Sequence, residues 1–324
     1  MQGFDPKFVD FPDYIIGVTK EIWEDRGIGT LNQYYAPDIV VRSPASVVVG
    51  NQGIIAATMA TLAEFPDRTL LGEDVIWCEA PNGGLLSSHR LLSEATHVKE
   101  GAYGAPAGTR LRYRIIADCH AIDNQINDEW LIRDQGAIVR QLGLSPKDYA
   151  RDLIAKEGGP ARCVEPYTPA NDVDGPYQGR GNDHEVGARL ASVLERMMAA
   201  EFSAVQSEYD RAAMVHYPRH YEGNGWGDVD RFWLPLRSSF PSARFEVHHV
   251  VGRDDEGLAP RAAVRWSLDG VHDGWGRFGA PTAVPVHVMG ITHAEFGPQG
   301  IRREWTLIDE TAIWKQILLG AGDV

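Results

Sequence analysis

Residues 129–134 read EWLIRD and residues 304–309 read EWTLID. Sliding the chain against itself by the 175 positions that separate Asp134 from Asp309 extends this match, without a gap, well beyond the two hexapeptides. Arg90 falls on Arg265, His97 on His272, GAYGAP (101–106) on GRFGAP (276–281) and Gln141 on Gln316. Farther upstream, Tyr34 falls on Tyr209, Gly50 on Gly225 and Phe65-Pro66 on Phe240-Pro241. Between 85–142 and 260–317, 14 of 58 positions are identical, where ordinary composition gives about 3 or 4. The chain is an internal duplication. Its period is too long for a stacking repeat, so each copy is a domain with its own core. We set copy one at 1–150, a linker at 151–183 and copy two at 184–324.

The pattern along each copy predicts an α+β layer architecture. Ile15, Val18 and Ile22 stand at helical spacing in YIIGVTKEIWED (14–25), TLNQYY forms a short second helix, and 50–66 a third, halted by Pro66. Alternation then takes over in 71–77, 85–97, 109–122 and 126–133, which read as strands of an antiparallel sheet. Copy two repeats the order, with helices at about 185–204 and 227–239 and strands from about 244 to 308. QGAIVRQL (135–142) and ETAIWKQIL (310–318) close the copies as short helices. The Gly-, Pro-, Asn- and Asp-rich stretch 158–183 has no periodicity and reads as a flexible connection; its GRGND lacks the preceding strand and following Lys of a phosphate loop.

A formal charge of −14 and a pI of about 5.2 argue against a nucleic-acid partner, which needs clustered Lys and Arg. No run of about 18 apolar residues or export leader is visible, so no membrane association is expected. Three widely spaced cysteines, Cys78, Cys119 and Cys163, indicate neither a disulfide framework nor a zinc site. A reducing cytoplasm is the expected compartment. Pro218 breaks any helix that would pair His216 with His220, and no metal is assigned.

Strand parity singles out the candidate chemical groups. Ile126, Asp128, Trp130, Ile132 and Asp134 share one face, and Ile301, Arg303, Trp305, Leu307 and Asp309 share the equivalent face. A carboxylate ending an apolar face loses hydration, which raises its pKa toward the range useful for proton transfer. Asp134 and Asp309 also precede helices, where Asp is a favoured N-cap; the cap and the acid/base readings both stand. His120, on the polar face of the preceding strand, is a candidate partner for Asp134, with Glu295 at its place in copy two. His97 and His272 recur before the Gly-rich turns. Trp130, Tyr113, His97, Trp305, His272 and Glu295 are the candidate ligand-lining residues.

EATHVKEGAYGAPAGTRLRYR followed by INDEWLIRDQGAIVRQLG resembles the signature of SnoaL-like polyketide cyclases, in the nuclear transport factor two superfamily. Copy two keeps EWTLID but lacks the Thr-Gly-Arg turn and the final QLG. The resemblance implies two tandem cone-shaped α+β barrels, each with helices closing over a strongly curved sheet and an apolar pocket. It implies Asp134 as the acid/base of an aldol-type ring closure, assisted by a His such as His120, with no metal or organic cofactor. The ligand so implied is a small apolar or carbonyl-containing compound of polyketide or terpenoid type; a non-catalytic binding module is the alternative. The resemblance also suggests that the two cones form an intramolecular pseudo-dimer, with further homo-oligomerisation open.

Overall fold

The structure, a computed structural model, describes residues 1–324. Copy one runs α1 (Phe11–Trp23), a 3-10 turn (Ile28–Thr30), α2 (Leu31–Tyr34), β1 (Tyr35–Ser43), β2 (Ser46–Val49), α3 (Asn51–Glu64), β3 (Thr69–Glu79), β4 (Leu85–Thr96), β5 (Arg110–Ile122), β6 (Gln125–Arg133) and α4 (Gln135–Gln141). After α5 (Pro146–Lys156), copy two follows with α6 (Glu185–Met198), α7 (Ser203–Glu208), β7 (Tyr209–Tyr217), β8 (Tyr221–Asn224), α8 (Trp226–Ser239), β9 (Arg244–Arg253), β10 (Arg261–Val271), β11 (Pro285–Gly297), β12 (Gly300–Ile308) and α9 (Glu310–Ala321). The sheets have orders β2-β1-β6-β5-β4-β3 and β8-β7-β12-β11-β10-β9. All pairings are antiparallel except β1 with β6 and β7 with β12. Trp130 on β6 and Trp305 on β12 hold equivalent places, and the fold is a tandem α+β duplication.

Local chemistry sets the element ends. Asp10 caps α1 by accepting from the Asp13 amide at 2.8 Å, and Tyr14, Ile15, Val18 and Ile22 are its buried stripe. The entries to α3 and α8 need a left-handed residue, φ 92° and 78°, and glycine supplies it in both copies as Gly50 and Gly225. The helix expected to reach 204 stops at Met198 because Ala200 turns left-handed at φ 66°, and a separate α7 follows. The domain end set at 150 falls inside α5, which starts from a Ser145 cap and packs on α9 of the other copy.

The two sheets stack face to face. Ile116, Trp130 and Ile132 meet Met289, Ile291, Trp305 and Leu307 in one buried cluster. The contacts are reciprocal, as in an isologous dimer. Arg90 lies 3.6 Å over the Trp305 ring and Arg265 4.6 Å over the Trp130 ring, so the Arg–Trp pair conserved between the copies crosses the interface both ways. Ser88 and Arg90 contact His293 at 2.8 and 3.1 Å, and His249 reaches Asp118 at 3.0 Å.

The stretch expected to be a flexible connection is laced into this interface. Tyr167 and Tyr177 are buried in the inter-sheet cluster, the Tyr177 amide donates to Asp128 at 3.0 Å, and Asp172 pairs with Arg42 at 2.5 Å. Gly181 bridges to Val250, and an added Cβ there would sit 1.8 Å from the Val250 carbonyl oxygen. Glycine at 181 is therefore required by close approach, not by phosphate chemistry.

Candidate functional site: the hollow cone of copy one

Since even-numbered residues of β6 face the other sheet, the odd-numbered ones, Glu129, Leu131 and Arg133, face the helices. They line a cavity of about 230 Å³ closed by Thr19 and Trp23 of α1, Leu31 of α2 and Ala57, Thr58 and Thr61 of α3, with Tyr35, His89 and Ile115 on its sheet wall. A second cavity of about 190 Å³ shares Thr61 and Arg133 with it and is bounded by Tyr113 and the Gly101–Tyr103 turn.

Glu129 is 6% exposed. Burial pushes its carboxyl up to about 7, against the opposing effect of a hydrogen bond from Tyr35. A group with that pKa is about half ionised at neutral pH, as a proton-transfer residue must be. His89 shares the cavity, with Nδ1 3.3 Å from Ser87 Oγ; burial lowers its pKa to about 4 despite the nearby Asp118 charge, so the ring is neutral. No cluster of three His, Cys, Asp or Glu side chains is placed to hold a metal ion.

Copy two has the same carboxylate and no such cavity. Glu304 accepts from Tyr209 and Tyr217 hydroxyls at 2.8 Å, Trp233 Nε1 at 3.1 Å and Thr306 Oγ1 at 2.6 Å. At the positions of Ala57, Thr58, His89 and Leu91 stand Phe232, Trp233, Val264 and Trp266, all inside a 33-residue core. Large apolar side chains fill the volume that threonine, alanine and histidine leave open in copy one.

The residues singled out from the sequence fall in several places. Asp134 is buried and caps α4: Oδ1 accepts from Ala137 N at 3.0 Å and Arg219 N at 3.1 Å, and Oδ2 from His220 N at 3.0 Å. Burial pushes its carboxyl up to about 6, although the three amides oppose this. It touches a crevice with Arg114, His216 and Trp305 that has no room for a water molecule. Asp309 caps α9 through one oxygen, which accepts from Thr311 N, Thr311 Oγ1 and Ala312 N. His120 lies at the opposite end of the β5–β6 pair from Asp134, between the side-chain oxygens of Asn127 at 2.6 Å and Asn82 at 3.1 Å. The structure does not bring it to Asp134.

Trp130 and Trp305 pack in the inter-sheet interface and not around a ligand. This corrects the face assigned to the pocket: a sheet buried on both sides has two apolar faces, and alternation cannot say which one a helix layer covers. His97 contacts Glu64 at 3.1 Å and accepts from Ala107 N, pinning the Gly-rich turn. His272 contacts Thr282 Oγ1 at 3.0 Å. Glu295 pairs with Arg303 at 3.5 Å and Arg302 at 3.7 Å on the rim of copy two. Of the candidate ligand-lining residues, only Tyr113 reaches a copy-one cavity wall.

Glu129, His89, Tyr35, Arg68 and Arg133, which build the cavity, are singled out neither by strand parity nor by the resemblance. Two signals pointed to them. Glu129 is the first letter of the duplicated hexapeptide, and the polar residues at 58, 89 and 133 face Trp233, Val264 and Ile308 in the aligned copy.

Solved structures described as SnoaL-like or candidate polyketide cyclases are similar to this chain in fold. IdmH of Streptomyces antibioticus, a candidate polyketide cyclase, is 23% identical, with a TM-score of 0.36 over 41% of this chain and 98% of that one. A SnoaL-like polyketide cyclase from Agrobacterium tumefaciens is 19% identical, with a TM-score of 0.31 over 40% of this chain and 94% of its own. AclR of Streptomyces galilaeus, a candidate hydroxylase, is 16% identical, with a TM-score of 0.35 over 42% of this chain and 80% of its own. Each match spans the extent of a single copy, and at these identities the likeness concerns the fold. No protein-family model and no curated protein matches the sequence. No helix is long and apolar enough to cross a membrane.

Proposed function

We propose that copy one is an acid/base site for a small, largely apolar carbonyl compound, and that copy two is its packed structural partner. The observation carrying this reading is Glu129, a carboxyl lining a cavity and pushed up to about 7, beside the filled cone in which its counterpart Glu304 is tied by four donors. The Glu129 carboxylate removes a proton from the carbon next to a carbonyl, and neutral His89 donates a hydrogen bond to the enolate oxygen. In an aldol-type ring closure the enolate carbon bonds to a second carbonyl carbon, and the protonated Glu129 returns its proton to the alkoxide. Atoms and charge balance without an added reagent. Double-bond migration would use the same proton transfer.

The test is exchange of the acidic C–H of cyclic and linear β-dicarbonyl compounds with deuterated water, followed by NMR. Wild type is expected to accelerate exchange, and Glu129→Gln to lose about 10²-fold or more of that rate. Binding without exchange would support a non-catalytic binding module, and exchange unaffected by Glu129→Gln would remove the assignment.

A further inference from the structure

Two arginines sit in the wall of the copy-one cone without a carboxylate partner. Arg68, just before β3, is 1% exposed. Its Nε donates to Tyr113 Oη at 3.0 Å and Ser93 Oγ at 3.3 Å, its guanidinium lies 4.3 Å over the Trp23 ring, and its Nη1 has no partner. Arg133, the last residue of β6, has a buried Nε without a partner and the Tyr103 hydroxyl nearby. Arg68 lines the larger cavity and Arg133 both. A fully buried cation with no counterion and a second cation beside it is costly, so the retention of Arg68 next to Arg133 calls for an anion that is not part of the chain.

Copy two supplies an independent comparison. At the places of Arg68, Arg133, Tyr113 and Ser93 it has Ala243, Ile308, Val288 and Leu268, all buried. The cations and their hydroxyl partners vanish together with the cavity. Their position also measures the ligand. Arg133 and Glu129 lie on the same face of β6 four residues apart, about 13 Å between Cα atoms, so an anion held by the arginines is remote from the carbon that Glu129 deprotonates.

We propose that Arg68 and Arg133 form a cradle for the carboxylate of an elongated, otherwise apolar keto acid whose carbonyl end reaches Glu129. This rests on the cone being the ligand site. The guanidinium fork suits a planar carboxylate, and the apolar walls between it and Glu129 suit a hydrocarbon spacer.

The experiment is titration calorimetry on the full chain with octanoate, its neutral counterpart octanamide, and inorganic phosphate. Wild type is expected to bind octanoate about tenfold or more tighter than octanamide, as a charge-assisted hydrogen bond allows. Arg133→Ile and Arg68→Met are expected to abolish that preference while octanamide binds as before. Equal affinity for the two probes in wild type, a preference that survives both substitutions, or phosphate binding tighter than octanoate would each overturn the carboxylate cradle while leaving the cone as a ligand site. Binding of neither organic probe would overturn the cone reading and the cradle together. Should Arg68→Met fail to fold, Arg133→Ile, at a partly exposed position and carrying the residue copy two tolerates, decides the matter alone.

Discussion

Replacing Glu129 with Gln removes one titrating proton from the cone while keeping its shape. Burial raises the carboxyl from its ordinary 4.5 to about 7. For an acid shifted upward, the unfolded chain loses its proton first as pH rises, so stability falls between about 4.5 and 7 and is level above that window. The size of the fall is about 3 kcal/mol. Gln carries no such term. Urea unfolding of both proteins from pH 4 to 8.5 should therefore show Glu129→Gln gaining about 3 kcal/mol on wild type across the window. Any change in the contact with Tyr35 adds only a pH-independent offset, and other titrating groups cancel in the difference. A stability difference flat across this range would show that Glu129 is hydrated and titrates normally, and the argument for it as a proton carrier would fall.

The two caps should respond differently to the same change. Asp134 accepts amides through both oxygens, so Asp134→Asn turns an NH₂ toward an N–H and is expected to cost about 1–3 kcal/mol; Asp309 uses one oxygen, so Asp309→Asn should cost less than about 1 kcal/mol in the same urea assay. Thr58→Trp installs the side chain that fills copy two at Trp233 and should abolish octanamide binding while circular dichroism shows the fold intact. Trp130→Ala should destabilise by about 3–5 kcal/mol in thermal or urea unfolding, because that ring is 6% exposed and packed between Arg42 and Arg265, each 4.6 Å away.

The duplication, the long helices, the four long strands that follow α3 and both helix-capping aspartates were legible because they depend on local pattern and on offset identity; the strands β1 and β2 before α3, and β7 and β8 before α8, were not, and they break the expected order of helices first and strands after. The direction of the sheet was not. Trp130 and Leu131 are both apolar, so β6 offers two faces of similar hydropathy, and only the packing of a second sheet decides which becomes the interface. His120 and Asp134 stand on adjacent strands, yet antiparallel register sets them at opposite ends, a relation that residue type does not reveal. The order of the linker was not legible for another reason. Its order comes from tertiary contacts of Tyr167, Asp172 and Tyr177, made by residues with no periodicity of their own.

The reciprocal Arg–Trp crossing has a consequence for how the halves can diverge. In a symmetric dimer of identical chains, any substitution that fills one cone fills both, and any charge buried in one is buried twice. Covalent linkage keeps the partners at high effective concentration and lets each half carry its own sequence. The filled half can thus serve as a lasting counter-mould for the hollow one, whose cavity and uncompensated guanidiniums would weigh on it in isolation. Substitutions that reshape the hollow half are then buffered by a neighbour whose interior is already filled by Phe232, Trp233 and Trp266.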